Sequence, residues 1–160
     1  MKLQLIPILN IPRNNTIKGS SMEEKTYAFY RQLAQFDIDG RPPRKSNQRQ
    51  LVTRGRGGKP MFIKSKAARE YMSNFSEKIP VKFKQKWGSL KDDLRVDIHV
   101  WYPDRRSDLS IELILDCLEK AEVIKNDRYI REQHVYGHVD KENPRISITL
   151  FQKLKIKHEV

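Results

Sequence analysis

The spacing of apolar residues predicts an α+β fold: one mixed, mainly antiparallel sheet with helices packed on one face. Three observations carry this. Residues 94–102 alternate cleanly, with Leu94, Val96, Ile98 and Val100 on one side and Arg95, Asp97, His99 and Trp101 on the other, as in a half-buried strand. The following segment, about Leu109 to Ala121, sets Ile111, Ile114, Leu115 and Leu118 on one face at helical spacing. Two further strand-like runs, Ile130–His138 and Arg145–Phe151, are joined by a turn at Asp140–Pro144.

The remaining elements follow from local signals. Ser65 is placed to cap a helix running to about Lys78, with Ala68, Tyr71, Met72 and Phe75 at its packed positions. Ahead of it, short strands Gln50–Thr53 and Pro60–Ile63 flank the turn Thr53-Arg-Gly-Arg-Gly-Gly-Lys59. Near the N-terminus, Leu3, Leu5, Ile8 and Ile11 suggest a short strand broken by Pro7 and Pro12. Ser21-Met-Glu-Glu24 then reads as a capping box for a helix to about Phe36, with Tyr27, Tyr30, Leu33 and Ala34 at helical spacing. Residues 1–40 are therefore expected to be an appendage on a domain spanning 41–155.

A chain of 160 residues holds one such domain, and 38% apolar with 32% charged residues suits a compact core under a charged surface. No apolar run approaches the roughly 20 residues of a membrane span. The opening Met-Lys-Leu-Gln-Leu-Ile-Pro lacks the apolar stretch of a secretory signal. Cys117 is the single cysteine, so no intrachain disulfide forms. Set among Ile114, Leu115 and Leu118, it reads as a buried structural thiol in a reducing compartment.

Charge is the first functional clue. The net charge is +12, and the stretch Gly40–Arg69 holds Arg41, Arg44, Lys45, Arg49, Arg54, Arg56, Lys59, Lys64, Lys66 and Arg69 with no acid among them. Outside it the chain is nearly neutral. Its prolines and glycines make it loop or hairpin, and an uncompensated basic arm of that kind tracks phosphates.

The second clue is acidic. Asp108, Glu112 and Asp116 fall at i, i+4 and i+8, Asp104 lies just before them, and Asp127 sits in the turn after the helix. Like charges at that spacing repel, and no base stands among them in the sequence. Hard oxygen ligands on a helix and its flanks are what Mg²⁺ takes, together with waters and a substrate phosphate. Helix capping by Asp108 and a dipole contact from Glu112 explain the same residues without a metal. His99, His134, His138 and His158 lack metal-site spacing, and no Ser/His/Asp set, P-loop or dinucleotide fingerprint is present. Trp101, Tyr102 and Tyr129 flank the acids, where base stacking and core packing are both open to them.

The runs Tyr102-Pro-Asp-Arg-Arg-Ser-Asp-Leu-Ser110 and Asp116-Cys-Leu-Glu-Lys-Ala-Glu-Val-Ile-Lys-Asn-Asp127 resemble RusA-type Holliday junction resolvases. The basic segment Pro43–Gln50 and Lys64-Ser-Lys66 add to the resemblance, which spans roughly residues 42–151. The resemblance implies a homodimer that binds four-way DNA junctions and makes paired cuts with Mg²⁺, or Mn²⁺, on a cluster of aspartates. It also implies a bacterial or phage protein of the cytoplasm, associated with the nucleoid. Asp108 matches the acid at the family's helix start, Asp127 the second acid of its Asp-Asp turn, and Asp116 a more structural acid. Four positions depart. Ile111 replaces the usual Asn, Arg106 or Ser110 replaces a partner acid, Asn126 replaces the first acid of the turn, and Glu112 stands where a lysine is common.

The expectation is thus a dimeric endonuclease. Asp108, Glu112 and Asp127 are its catalytic acids, with Asp104 or Asp116 assisting at the metal. Arg44, Lys45, Arg49, Arg54, Arg56, Lys59, Lys64, Lys66, Arg69, Arg105 and Arg106 hold the nucleic acid, and Lys120 or Lys125 is available to a leaving group. The alternatives are a non-catalytic binder of structured nucleic acid on the same fold and, from charge alone, an RNA-binding protein.

Overall fold

Strand β4 (Asp93–Tyr102) is the spine of the fold. Its Leu94, Val96, Ile98, Val100 and Tyr102 are buried, while Arg95, Asp97, His99 and Trp101 stay half exposed, the alternation a pleated strand shows when one face is covered. The computed structural model describes residues 25–53, 57–89, 93–105 and 108–158. Within them the order is β1 (Lys25–Asp39), β2 (Arg49–Thr53), β3 (Pro60–Lys64), α1 (Lys66–Lys78), β4, α2 (Ile111–Lys120), β5 (Ile130–Val139) and β6 (Arg145–His158).

The main sheet runs β1-β6-β4-β5, and β2–β3 forms a separate antiparallel ribbon. β6 is antiparallel to both β1 and β4, whereas β5 is parallel to β4. The fold is therefore α+β with a mixed, mainly antiparallel sheet. β4, α2 and β5 make a parallel crossover, so β5 and β6 do not pair with each other. The segment between them steps across the end of β4, where the Asp140 N–H donates to the Tyr102 carbonyl at 2.8 Å.

Both helices cover the face that carries Val96 and Ile98. The Ser65 hydroxyl caps α1 by accepting from the Ala68 N–H at 3.1 Å, and Ala68, Met72 and Phe75 turn inward. From α2, Leu113, Ile114, Leu115, Cys117 and Leu118 join the same core. Full burial of each such Leu, Ile or Phe contributes about 1.5–3 kcal/mol. The opposite sheet face carries polar and aromatic side chains, including a bidentate Arg95–Asp97 pair and Glu132 held by Tyr30 and Lys153.

One expectation is corrected here. Residues 25–36 are not helical: they belong to β1, paired along its length with β6. The register slips between Gln32 and Ala34, a bulge at Leu33. Tyr30 therefore lies on the polar face, while Ala34, Phe36 and Ile38 point into the core at strand period. A bulge inserted in a two-residue period mimics i, i+3, i+4 spacing at Tyr30, Leu33 and Ala34. Residues 25–39 are thus a strand of the main sheet, with side chains in its core. The expected strand near Leu3–Ile11 and the capping box at 21–24 lie outside the described residues.

Candidate nucleic-acid interface and acidic edge

The basic arm does not stand free of the domain. Arg44 bridges Leu109 in the backbone, and the Lys45 N–H donates to the Asp108 carbonyl at 2.9 Å. The Arg44 guanidinium donates to both oxygens of Asp104, at 2.8 and 2.7 Å. Further along, Arg49 and Lys64 sit opposite each other at the base of the β2–β3 ribbon. Arg49 reaches Glu112 at 3.7 Å and Lys64 reaches Asp116 at 2.8 Å. The root of the ribbon is fixed by Ser65, whose N–H donates to the Gln48 carbonyl at 2.7 Å and whose hydroxyl donates to the Asn47 carbonyl at 2.6 Å.

The fold therefore brings to Glu112 and Asp116 the bases that the sequence does not place between them. Three ion pairs run in parallel between arm and acids. Arg49–Glu112 and Lys64–Asp116 are substantially exposed, so each contributes less than about 1 kcal/mol and gives way readily to a competing phosphate or cation, whereas Arg44, bidentate on Asp104, is only 21% exposed.

The acids are arranged differently from the expected three-residue stripe. α2 begins at Ile111, with Ser110 as its N-cap residue, so Asp108 lies outside the helix and is not its N-cap. Only Glu112 and Asp116 share the helical face. Asp127 opens a one-turn 3₁₀ helix beyond the far end of α2, where its N–H donates to Glu119 at 3.4 Å. The ten residues of α2 span about 15 Å, and Asp127 stands beside Glu119 near their C-terminal end. Among the described residues, no three His, Cys, Asp or Glu side chains group closely enough to hold a metal by themselves. Mg²⁺ asks for less, one or two carboxylates completed by water and phosphate. The oxygen donors of Asp104, Asp108 and Glu112 suit that chemistry.

A residue assigned to stacking or core now has a definite place. Tyr102 is fully buried, and its hydroxyl has no hydrogen-bond partner among the described residues. Burial, then the Asp108 carboxylate, push its pKa up to about 12, against Arg44 and Arg41. The hydroxyl thus stays protonated where arm and acids meet. The β4 alternation already put Tyr102 in phase with Val100 and Ile98.

Of the other expected contacts, Lys45, Lys59, Arg69 and Arg105 are exposed and form no ion pair with a described residue, while Lys66 pairs with Glu70 at 3.6 Å. Arg54, Arg56 and Arg106 lie outside the described residues. Tyr102 and Tyr129 are buried and unavailable for stacking, and Trp101 lies on the polar sheet face with Arg145 4.1 Å over its ring. Cys117 is buried, and burial followed by Asp116 push its thiol up to about 12, against Lys64 and Lys120, which suits a packed thiol and not a nucleophile. His99 and His138 face each other at 2.9 Å. Lys120 and Lys125 are exposed.

No protein-family model matches the chain, and no curated protein matches it by sequence. Among the described residues, no helix is long and apolar enough to cross a membrane.

Proposed function

We propose that this protein is a Mg²⁺-dependent endonuclease that binds and cuts branched DNA, four-way junctions in particular, as a homodimer. One observation carries the reading: the acid-free basic arm is laid along the acidic edge through Arg44–Asp104, Arg49–Glu112 and Lys64–Asp116. A phosphodiester nuclease needs phosphate-holding cations and metal-holding carboxylates side by side. Lys45, Lys59 and Arg69 grip flanking phosphates, and Arg44, Arg49 and Lys64 exchange their carboxylates for phosphate as DNA arrives. That exchange opens the edge carrying Asp104, Asp108 and Glu112, one or two of which would take the ion beside the phosphate. Bound Mg²⁺ would supply neutralisation of the charge developing on the scissile phosphate. The resemblance of residues 42–151 to RusA-type resolvases supports the same substrate. A two-fold dimer matches the two related strands of a junction, and edge strand β5, with Val135 and Val139 exposed on one face and Tyr136 on the other, is available for self-association.

A second reading has its own observation. The three paired acids and the absence of a preformed three-ligand group among the described residues suit a binder that does not cut. Asp108→Asn and Asp127→Asn separate the two. In a nuclease, Asp108→Asn abolishes junction nicking in Mg²⁺ while junction affinity is kept or rises. A protein whose wild type binds the junction but never nicks it, in Mg²⁺ or Mn²⁺, is a binder. Asp127→Asn tells whether the far acid belongs to the same reaction.

A further inference from the structure

The β2–β3 ribbon shows a feature that phosphate binding does not require. Side chains on a strand alternate, so Arg49, Leu51 and Thr53 share one face with Lys64, Phe62 and Pro60. The Arg49–Lys64 end of that face is turned toward α2, because both cations reach its acids. One pleat further out, about 7 Å along the ribbon, Leu51 and Phe62 stand directly opposite each other. They are 58% and 70% exposed. A two-stranded ribbon gains most from burying such a pair, yet here the largest apolar side chains of the arm are left in water.

Resting on the DNA-binding reading, we infer that Leu51 and Phe62 form a wedge that stacks on a base exposed at the branch point of the DNA. The chemistry around the pair selects this occupant. Lys59 lies exposed on the same hairpin, and the whole stretch 40–69 contains no acid, so the partner is a polyanion. A polyanion that also offers flat apolar faces is a nucleic acid with an unstacked base. Linear duplex keeps its bases stacked and offers no such face, whereas the centre of a junction does. Because the wedge shares its face with Arg49 and Lys64, a nucleotide stacked on Phe62 brings its own phosphate toward the α2 acids. The ribbon then reads branch structure and delivers the strand to the acidic edge in a single contact.

The test uses full-length protein, a four-way junction with 2-aminopurine at the branch point, and a matched linear duplex carrying the same probe internally. Wild type is expected to change the probe fluorescence in the junction only. Phe62→Ala should lose that signal and bind the junction roughly 5- to 150-fold more weakly, with duplex affinity unchanged. Phe62→Trp should restore both. Phe62→Ala indistinguishable from wild type on junction and probe overturns the wedge while leaving DNA binding intact. Sedimentation showing that Phe62→Ala splits a wild-type dimer overturns it too, assigning the pair to a protein interface. Wild type that binds neither DNA overturns the DNA-binding reading itself, and the wedge with it.

Discussion

Single residues already fix measurable behaviour. Gly88 sits at φ +117°, and a Cβ there would lie 2.7 Å from Cδ2 of Tyr129. Gly40, at φ +102°, has nothing within 4 Å of that position. Gly88→Ala should therefore cost about 2–4 kcal/mol and Gly40→Ala about 1 kcal/mol; equal urea midpoints for the two would contradict the clash. Glu132 gives a pH signature. Burial alone would raise its pKa, but hydrogen bonds from Lys153 and Tyr30, with the charges of Lys153 and Arg95, hold it below the usual carboxylate range. A depressed folded-state pKa stabilises above the unfolded value and is lost as pH falls through the folded one. The stability of wild type should thus decline more steeply than that of Glu132→Gln from about pH 5 downward. Parallel unfolding curves for the two proteins would remove Glu132 as the cause.

At the level of elements, β1 is where prediction from sequence and the structure part. Phe36 packs edge-on against Phe75 at 6.3 Å and lies 5.7 Å from Phe83. Phe36→Ala should accordingly cost about 3–5 kcal/mol in one cooperative unfolding transition. A small effect, or a separate early transition, would mean that the strand is an independent appendage. The elements that the sequence disclosed were those whose periodicity is local: β4 from its alternation, α2 from its apolar stripe, α1 from Ser65 and its i, i+3, i+4 residues. β1 was hidden because its bulge breaks the two-residue period, and because its partner β6 lies more than a hundred residues away. The acids were legible as residue types, but their partners were not. Arg44, Arg49 and Lys64 meet Asp104, Glu112 and Asp116 only through the tertiary path of the ribbon. Arg49→Ala and Lys64→Ala should each change stability by less than about 1 kcal/mol yet reduce the salt slope of DNA binding by about one. An unchanged slope would take those cations out of the interface.

For the whole molecule, the asymmetry of charge is the organising fact. The net +12 is concentrated in residues 40–69, and the fold places that arm on one acidic edge of a helix-covered sheet. Affinity for any DNA should therefore fall steeply with salt, while preference for branched DNA should persist because it rests on shape and stacking. The measurement with most leverage is incubation of wild type with an end-labelled four-way junction and its matched linear duplex, each with and without Mg²⁺. Symmetric nicks confined to the junction and dependent on the ion are the expected result. Tight junction binding with no nick in either ion condition would contradict the nuclease and leave a structure-specific binder.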